Sequence, residues 1–160
     1  MAVSLGTSGT VFAKAEAAAA DATGAVCPFL DATGGGLPLT CTLNCASIPE
    51  EVRNGYGLSR EEAEALAAVE PVGAEGVSLL PYFSGERTPN WPDASGALVG
   101  LRPGHLGRPG LLYRAALEGA TFSLRAALRS MKAHGVDPSE VRSTTSTTIA
   151  TATATTVATN

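Results

Sequence analysis

Clustered positive charge, a membrane-length apolar run and an even set of cysteines are all missing from this chain of 160 residues. Its 11 Lys and Arg stand against 15 Asp and Glu, for a net charge of −4, and the basic residues are scattered. A nucleic-acid partner is therefore not expected, because backbone-phosphate binding rests on grouped Lys and Arg. No stretch approaches the roughly 20 apolar residues of a spanning helix. A soluble, cytoplasmic protein without a membrane partner is the expectation. The stretch "FAKA", Phe12 to Ala15, ends like a signal-peptidase site. No basic region precedes it, however, and Gly-Thr-Ser-Gly interrupts the would-be apolar core, so secretion is not expected. The three cysteines are Cys27, Cys41 and Cys45. The Cys41-x-x-x-Cys45 spacing lacks a second Cys or His pair with which to close a tetrahedral zinc site. They read as reduced, mostly buried thiols, and no metal site is expected among them.

What is present suits one α/β domain with a real core. Residues 3 to 13, "VSLGTSGTVFA", alternate in strand fashion around a turn at Gly6–Gly9, which predicts a hairpin. Gly34, Gly35, Gly36 and the flanking prolines mark a loop that enters a buried segment. "IPEEVRNGYGLSREEAEALAAVEP" predicts two helical pieces parted by Gly55 and Gly57. The second carries a capping box, Ser59 with Glu62, and stops before Pro71. Val77 to Phe83 reads as a short strand leading into the polar turn "SGERTP", Ser84 to Pro89. The longest predicted helix runs from about Leu112 to His134. Leu112, Ala116, Ala120, Leu124, Leu128 and Met131 lie near one face, Arg114 and Glu118 pair at i, i+4 on another, and Gly135 is its stop. Arg125, Arg129 and Lys132 read as a solvated face. His105, in a Gly- and Pro-rich loop, and His134, in a last helical turn, read as surface residues. Asp31, Asp93 and Asp137 read as turn caps. After Arg142 the composition changes to eighteen residues with nine Thr and no charge, and residues 143–160 are expected to form a disordered low-complexity tail beside a domain at 1–142.

Three blocks in order, "VSLGTSGTVFA", "LPYFSGERTPNWPDASGALVGL" and "RAALEGATFSLRAAL", give the chain a resemblance to the second domain of the FGGY family of carbohydrate kinases. The pairing of "SLGTSG" with "SGERTP" is most similar to its xylulokinase members. The resemblance covers about residues 3 to 144. Within it, Leu111 stands where the family usually has a polar residue.

The resemblance implies an actin-like, ribonuclease-H-like α/β ATPase domain that closes on ATP against a partner domain. It implies that Gly6, Thr7, Ser8 and Gly9 bind the nucleotide phosphates through backbone N–H groups and a Thr hydroxyl, a nest that glycines permit. Glu86 and Arg87 of "SGERTP" are then candidates to line the cleft, with a buried ion pair that fixes the turn as the plainer reading. The implied reaction moves the γ-phosphoryl group of ATP, with Mg2+, to a hydroxyl of a ketopentose such as xylulose. Kinases for ribulose or glycerol, or a non-catalytic nucleotide-binding remnant, are the alternatives. The family's catalytic Asp belongs just upstream of the hairpin, so none is expected in this chain. The sugar-binding first domain and a Gly-rich adenine segment are likewise expected outside it. The chain thus reads as a domain truncated at both ends and inactive on its own.

Overall fold

The computed structural model describes residues 1–17, 21–136 and 142–145. Asp137 and most of the Thr-rich segment lie outside them. Strands β1 (Ala2–Leu5) and β2 (Gly9–Phe12) form the predicted hairpin, with Val3 opposite Val11 and Leu5 opposite Gly9. Strands β3 (Cys27–Leu30) and β4 (Gly36–Thr42) form a second hairpin, and β4 pairs antiparallel with β2. Helices α1 (Ser47–Gly55) and α2 (Arg60–Ala68) follow, then a small two-stranded sheet of β5 (Ser78–Leu80) and β6 (Ala97–Val99). Helix α3 (Pro109–Ala133) and strand β7 (Arg142–Thr145) complete the described chain. β7 lies parallel to β1, so the main sheet has the order β3-β4-β2-β1-β7. The α/β expectation is met. β7 also carries the sheet across the expected 142/143 boundary.

Alternation decides which side of the sheet is covered. Val3, Leu5, Val11, Thr40 and Thr42 are buried on one side, and Leu124, Ala127 and Met131 of α3 pack into the same cluster as Val3, Leu5 and Val11. A second cluster joins Ile48 of α1, Val77 and Leu79 beside the small sheet, and Leu111, Leu112, Ala115 and Ala116 of α3. Leu111, where a polar residue was expected, is fully buried there. A third cluster sets Ala63 and Ala67 of α2 on Tyr113. One long helix thus underlies the whole described fold.

The local signals behave as their chemistry requires. Ser59 Oγ accepts from Glu62 N at 3.2 Å while Glu62 Oε2 accepts from Ser59 N at 2.7 Å, closing the capping box. α3 begins three residues before Leu112 because Pro109 suits a first helical turn, and Gly135 ends it at φ 79°. Arg114 Nε donates to Glu118 Oε1 at 2.7 Å, the expected i, i+4 pair. Arg129 and Lys132 are exposed, as a solvated face should be, whereas Arg125 is half-buried. The expected strand Val77–Phe83 shrinks to three residues, since Pro81 has no N–H to donate to a ladder.

His105 corrects the surface reading. It is 5% exposed, its Nδ1 accepts from Arg102 N at 3.2 Å, and its Nε2 stands 3.5 Å from Glu75 Oε2. The loop coils back as a 3-10 turn over His105–Gly107 and tucks the ring beneath itself. His134 is half-buried, with Nδ1 donating to Ser130 O at 2.8 Å and Nε2 3.5 Å from Asp21. The cysteine reading holds only in part, because Cys45 is buried whereas Cys27 and Cys41 are half-buried; all three are free thiols. Burial pushes Cys45 up to about 11.

Two four-residue turns share one device. Asp31 Oδ1 accepts from Thr33 N, Thr33 Oγ1 and Gly35 N, each at 2.8 Å, the cap read from sequence. Asp21 repeats it, accepting from Thr23 Oγ1 at 2.7 Å, Thr23 N at 2.8 Å and Val26 N at 2.7 Å. The Thr23 hydroxyl, then the Val26 and Thr23 amides and the nearby His134, hold the Asp21 carboxyl below its ordinary 3.8, at about 2. A carboxyl lowered by folding adds stability above its unfolded value, and that contribution is lost as pH falls toward the folded one. The chain is therefore expected to lose stability between about pH 4 and pH 2. An Asp21→Asn chain should start less stable and change less across that window, as denaturant midpoints at each pH would show; parallel curves would sink the assignment.

Candidate phosphate-binding turn

Pairing of Leu5 with Gly9 leaves Gly6, Thr7 and Ser8 as a three-residue connection at one end of the sheet. Its carbonyls are tied inward. Gly6 O accepts from Ala46 N at 3.0 Å, and Thr7 O accepts from Cys45 N at 3.1 Å and Ser47 Oγ at 3.3 Å. Ser8 Oγ donates to Leu43 O at 3.4 Å, and Gly6 N donates to Ser8 O at 3.1 Å. The turn is thus pinned on the corner between β4 and α1, residues 43–47. Thr7 and Ser8 are exposed. Among the described residues no hydrogen bond draws the Thr7 or Ser8 N–H inward. Two adjacent N–H groups without an inward partner, the exposed Thr7 hydroxyl beside them, and no acidic side chain between Ser4 and Ala13 favour an anion.

The two glycines of the turn differ in what they do. A Cβ on Gly9 would stand 2.6 Å from Leu124 Cδ2 and 2.7 Å from Thr42 Oγ1, so Gly9 is buried and serves the contact with α3. A Cβ on Gly6 would meet only Ser8 O, at 3.5 Å, an ordinary contact. Packing accounts for Gly9 and leaves Gly6 unexplained. Of the four residues predicted to hold phosphate, the structure brings Gly6, Thr7 and Ser8 to the surface together and places Gly9 beneath them.

The "SGERTP" turn lies behind the same corner. Its plainer reading, an ion pair of Glu86 with Arg87, needs correction. Glu86 is 1% exposed and its Oε1 accepts from Leu43 N and Arg87 N, both at 2.7 Å, while Oε2 accepts from Asn44 Nδ2 at 3.2 Å. Arg87 is exposed, and its Nη2 donates to Cys27 Sγ at 2.9 Å. Backbone amides satisfy a buried carboxylate without a second charge, which leaves the guanidinium in solvent. Sequence reasoning missed Asn44 entirely. It is 2% exposed and its Nδ2 also donates to Gly85 O at 2.6 Å.

A groove of about 310 Å3 between α3 and the Leu79–Tyr82 stretch, walled by Pro89, Gly119 and Phe122, shares no residue with the turn. Among the described residues no three His, Cys, Asp or Glu side chains converge as a cation site, and no helix is long and apolar enough to cross a membrane. Of the MgATP that the resemblance implies, the N–H and hydroxyl donors of this turn suit the phosphate oxygens. The residues present fit that part of the nucleotide.

Residues 1–144 match the model of the FGGY family of carbohydrate kinases, C-terminal domain. The chain is 50% identical over 137 residues to the xylulose kinase of Streptomyces rubiginosus, covering 86% of this chain and 26% of that protein. It is 47% identical over 137 residues to the xylulose kinase of Streptomyces coelicolor, again 86% of this chain and 26% of the relative. The crystal structure of xylulose kinase from Bifidobacterium adolescentis superimposes with a TM-score of 0.81 at 37% identity, covering 91% of this chain and 28% of that one. The chain spans about a quarter of the length of the curated relatives it matches.

Proposed function

Because the chain belongs to the FGGY family of carbohydrate kinases and carries the actin-like, ribonuclease-H-like fold of its C-terminal domain, we propose that Gly6, Thr7 and Ser8 are the phosphate clamp of an ATP-dependent sugar kinase. The reading extends to phosphorylation of a ketopentose hydroxyl, with xylulose as the substrate, after the xylulose kinases of the two Streptomyces relatives. It works in the cytoplasm. ATP brings the γ-phosphoryl group and Mg2+ offsets the charge on its phosphates when bound. The catalytic Asp belongs just upstream of the hairpin, and the sugar pocket to the first domain, with which this one would close. This chain's own part is to hold phosphate oxygens by the outward N–H groups of Thr7 and Ser8 and the Thr7 hydroxyl. Domain closure would then exclude water from the transfer.

The observation that carries the reading is the glycine at position 6. Nothing in the packing calls for it, and it stands where a phosphate needs close approach to backbone. A clamp that contacts phosphate oxygens alone binds weakly, so ADP is expected to bind this chain at about millimolar strength, near −4 kcal/mol. In a titration followed by amide chemical shifts, Gly6, Thr7 and Ser8 should move with ADP and with inorganic pyrophosphate and stay still with adenosine. Larger movement with adenosine, or movement spread evenly along the chain, would leave the segment an ordinary turn.

A further inference from the structure

Glu86 is a buried carboxylate that the clamp reading does not use. Glu86 is far from the hairpin in sequence, yet one corner joins them: Oε1 accepts from Leu43 N at 2.7 Å, and Oε2 accepts from Asn44 Nδ2 at 3.2 Å. Its own turn holds it from the other side. Arg87 N at 2.7 Å and Thr88 N at 3.4 Å donate to Oε1, and the Glu86 backbone exchanges hydrogen bonds with Trp91, at 2.8 and 2.9 Å. Asn44 Nδ2 is fixed in turn by Gly85 O at 2.6 Å.

The corner passes this order on to the phosphate-binding turn. Leu43, whose N–H donates to Glu86, has a carbonyl that accepts from Ser8 Oγ at 3.4 Å. Cys45 N and Ala46 N, next along the corner, donate to Thr7 O and Gly6 O at 3.1 and 3.0 Å. These inward bonds take the Gly6 and Thr7 carbonyls and the Ser8 hydroxyl, and Gly6 N donates to Ser8 O, so that only the Thr7 and Ser8 amides are left without an inward partner among the described residues. We infer that Glu86 is a positioning residue for the clamp: its carboxylate fixes the Leu43–Ala46 corner, and the corner sets the direction of the Thr7 and Ser8 N–H groups. This rests on the clamp reading above. A carboxylate is needed because one oxygen must accept from several N–H groups while the other accepts from Asn44, and an amide in its place turns one of those acceptors into a donor.

The test compares the full chain with Glu86→Gln. Amide exchange at Cys45 and Ala46 is expected to quicken at least tenfold while Leu124 and Ala127 in α3 keep their rates, and pyrophosphate is expected to move the Thr7 and Ser8 amides with about tenfold weaker affinity. If Glu86→Gln fails to fold, Glu86→Asp, which keeps the charge but draws the carboxylate back from Leu43 N and Asn44 Nδ2, is read in the same way. Unchanged exchange at Cys45 and Ala46, or a rise shared equally by α3, would overturn the inference. The parent chain's own response to pyrophosphate separates the two readings: no movement of Gly6–Ser8 there sinks the clamp, whatever the exchange at the corner shows.

Discussion

A Gly119→Val chain is expected to melt about 10 °C below the parent. A Cβ at position 119 would stand 2.2 Å from Leu79 O and 3.3 Å from Leu79 C, and both are backbone atoms of β5 that no rotamer change can move. α3 must therefore back away from the small sheet, opening the cluster of Leu79, Ala115 and Ala116. Valine regains a few tenths of a kcal/mol of helix propensity over glycine. Overpacking a filled contact costs typically 1–3 kcal/mol, and more where backbone has to shift, so the clash wins by about 3 kcal/mol. Gly55→Ala is the control, since a Cβ there meets nothing within 4 Å. Thermal melts by circular dichroism decide it; a Gly119→Val midpoint level with that of Gly55→Ala would show that α3 does not rest on β5 as described.

The same contact shows where the sequence stopped being informative. The face of α3 that meets the sheet was legible because Leu112, Ala116, Ala120, Leu124, Leu128 and Met131 recur at helical spacing; Leu128 is half-buried and the others are buried. Gly119 carries no such period, and its role depends on a strand forty residues earlier. The hairpin and the Ser59–Glu62 box were legible because their signals are local. His105 was not, since a Gly- and Pro-rich loop suggests exposure, whereas the 3-10 turn over His105–Gly107 and the long-range approach of Glu75 enclose the ring. The site divides in the same way. Gly6, Thr7 and Ser8 stand together on one short turn, but the brace behind them joins Asn44 to Glu86 across 42 positions. The repeated "DATG" at Asp21 and Asp31 was a readable local signal, and Asp21 was nonetheless passed over.

The paired substitutions Gly6→Ala and Gly9→Ala are expected to fail in opposite ways, and that contrast tests packing and function apart. At Gly9 the added methyl would lie 2.6 Å from Leu124 Cδ2, 2.7 Å from Thr42 Oγ1 and 3.3 Å from Cys45 Cβ. Leu124 could swing away only into a core already filled by Val11 and Ala127, and Thr42 is fully buried with its hydroxyl on Gly9 O at 3.4 Å. A loss of about 2 kcal/mol follows. At Gly6 the methyl meets nothing closer than 3.5 Å, so stability should stay within about 0.5 kcal/mol of the parent. The phosphate response should reverse the order. Gly6→Ala puts a methyl where an oxygen would approach the backbone and is expected to weaken the pyrophosphate shifts of Thr7 and Ser8 at least tenfold in a chain that is otherwise intact. Gly9→Ala, measured below its melting temperature, should keep them, because its Cβ points into the core and not toward the phosphate. Equal loss of the pyrophosphate shifts in both chains, or in neither, would mean that glycine at position 6 serves no ligand.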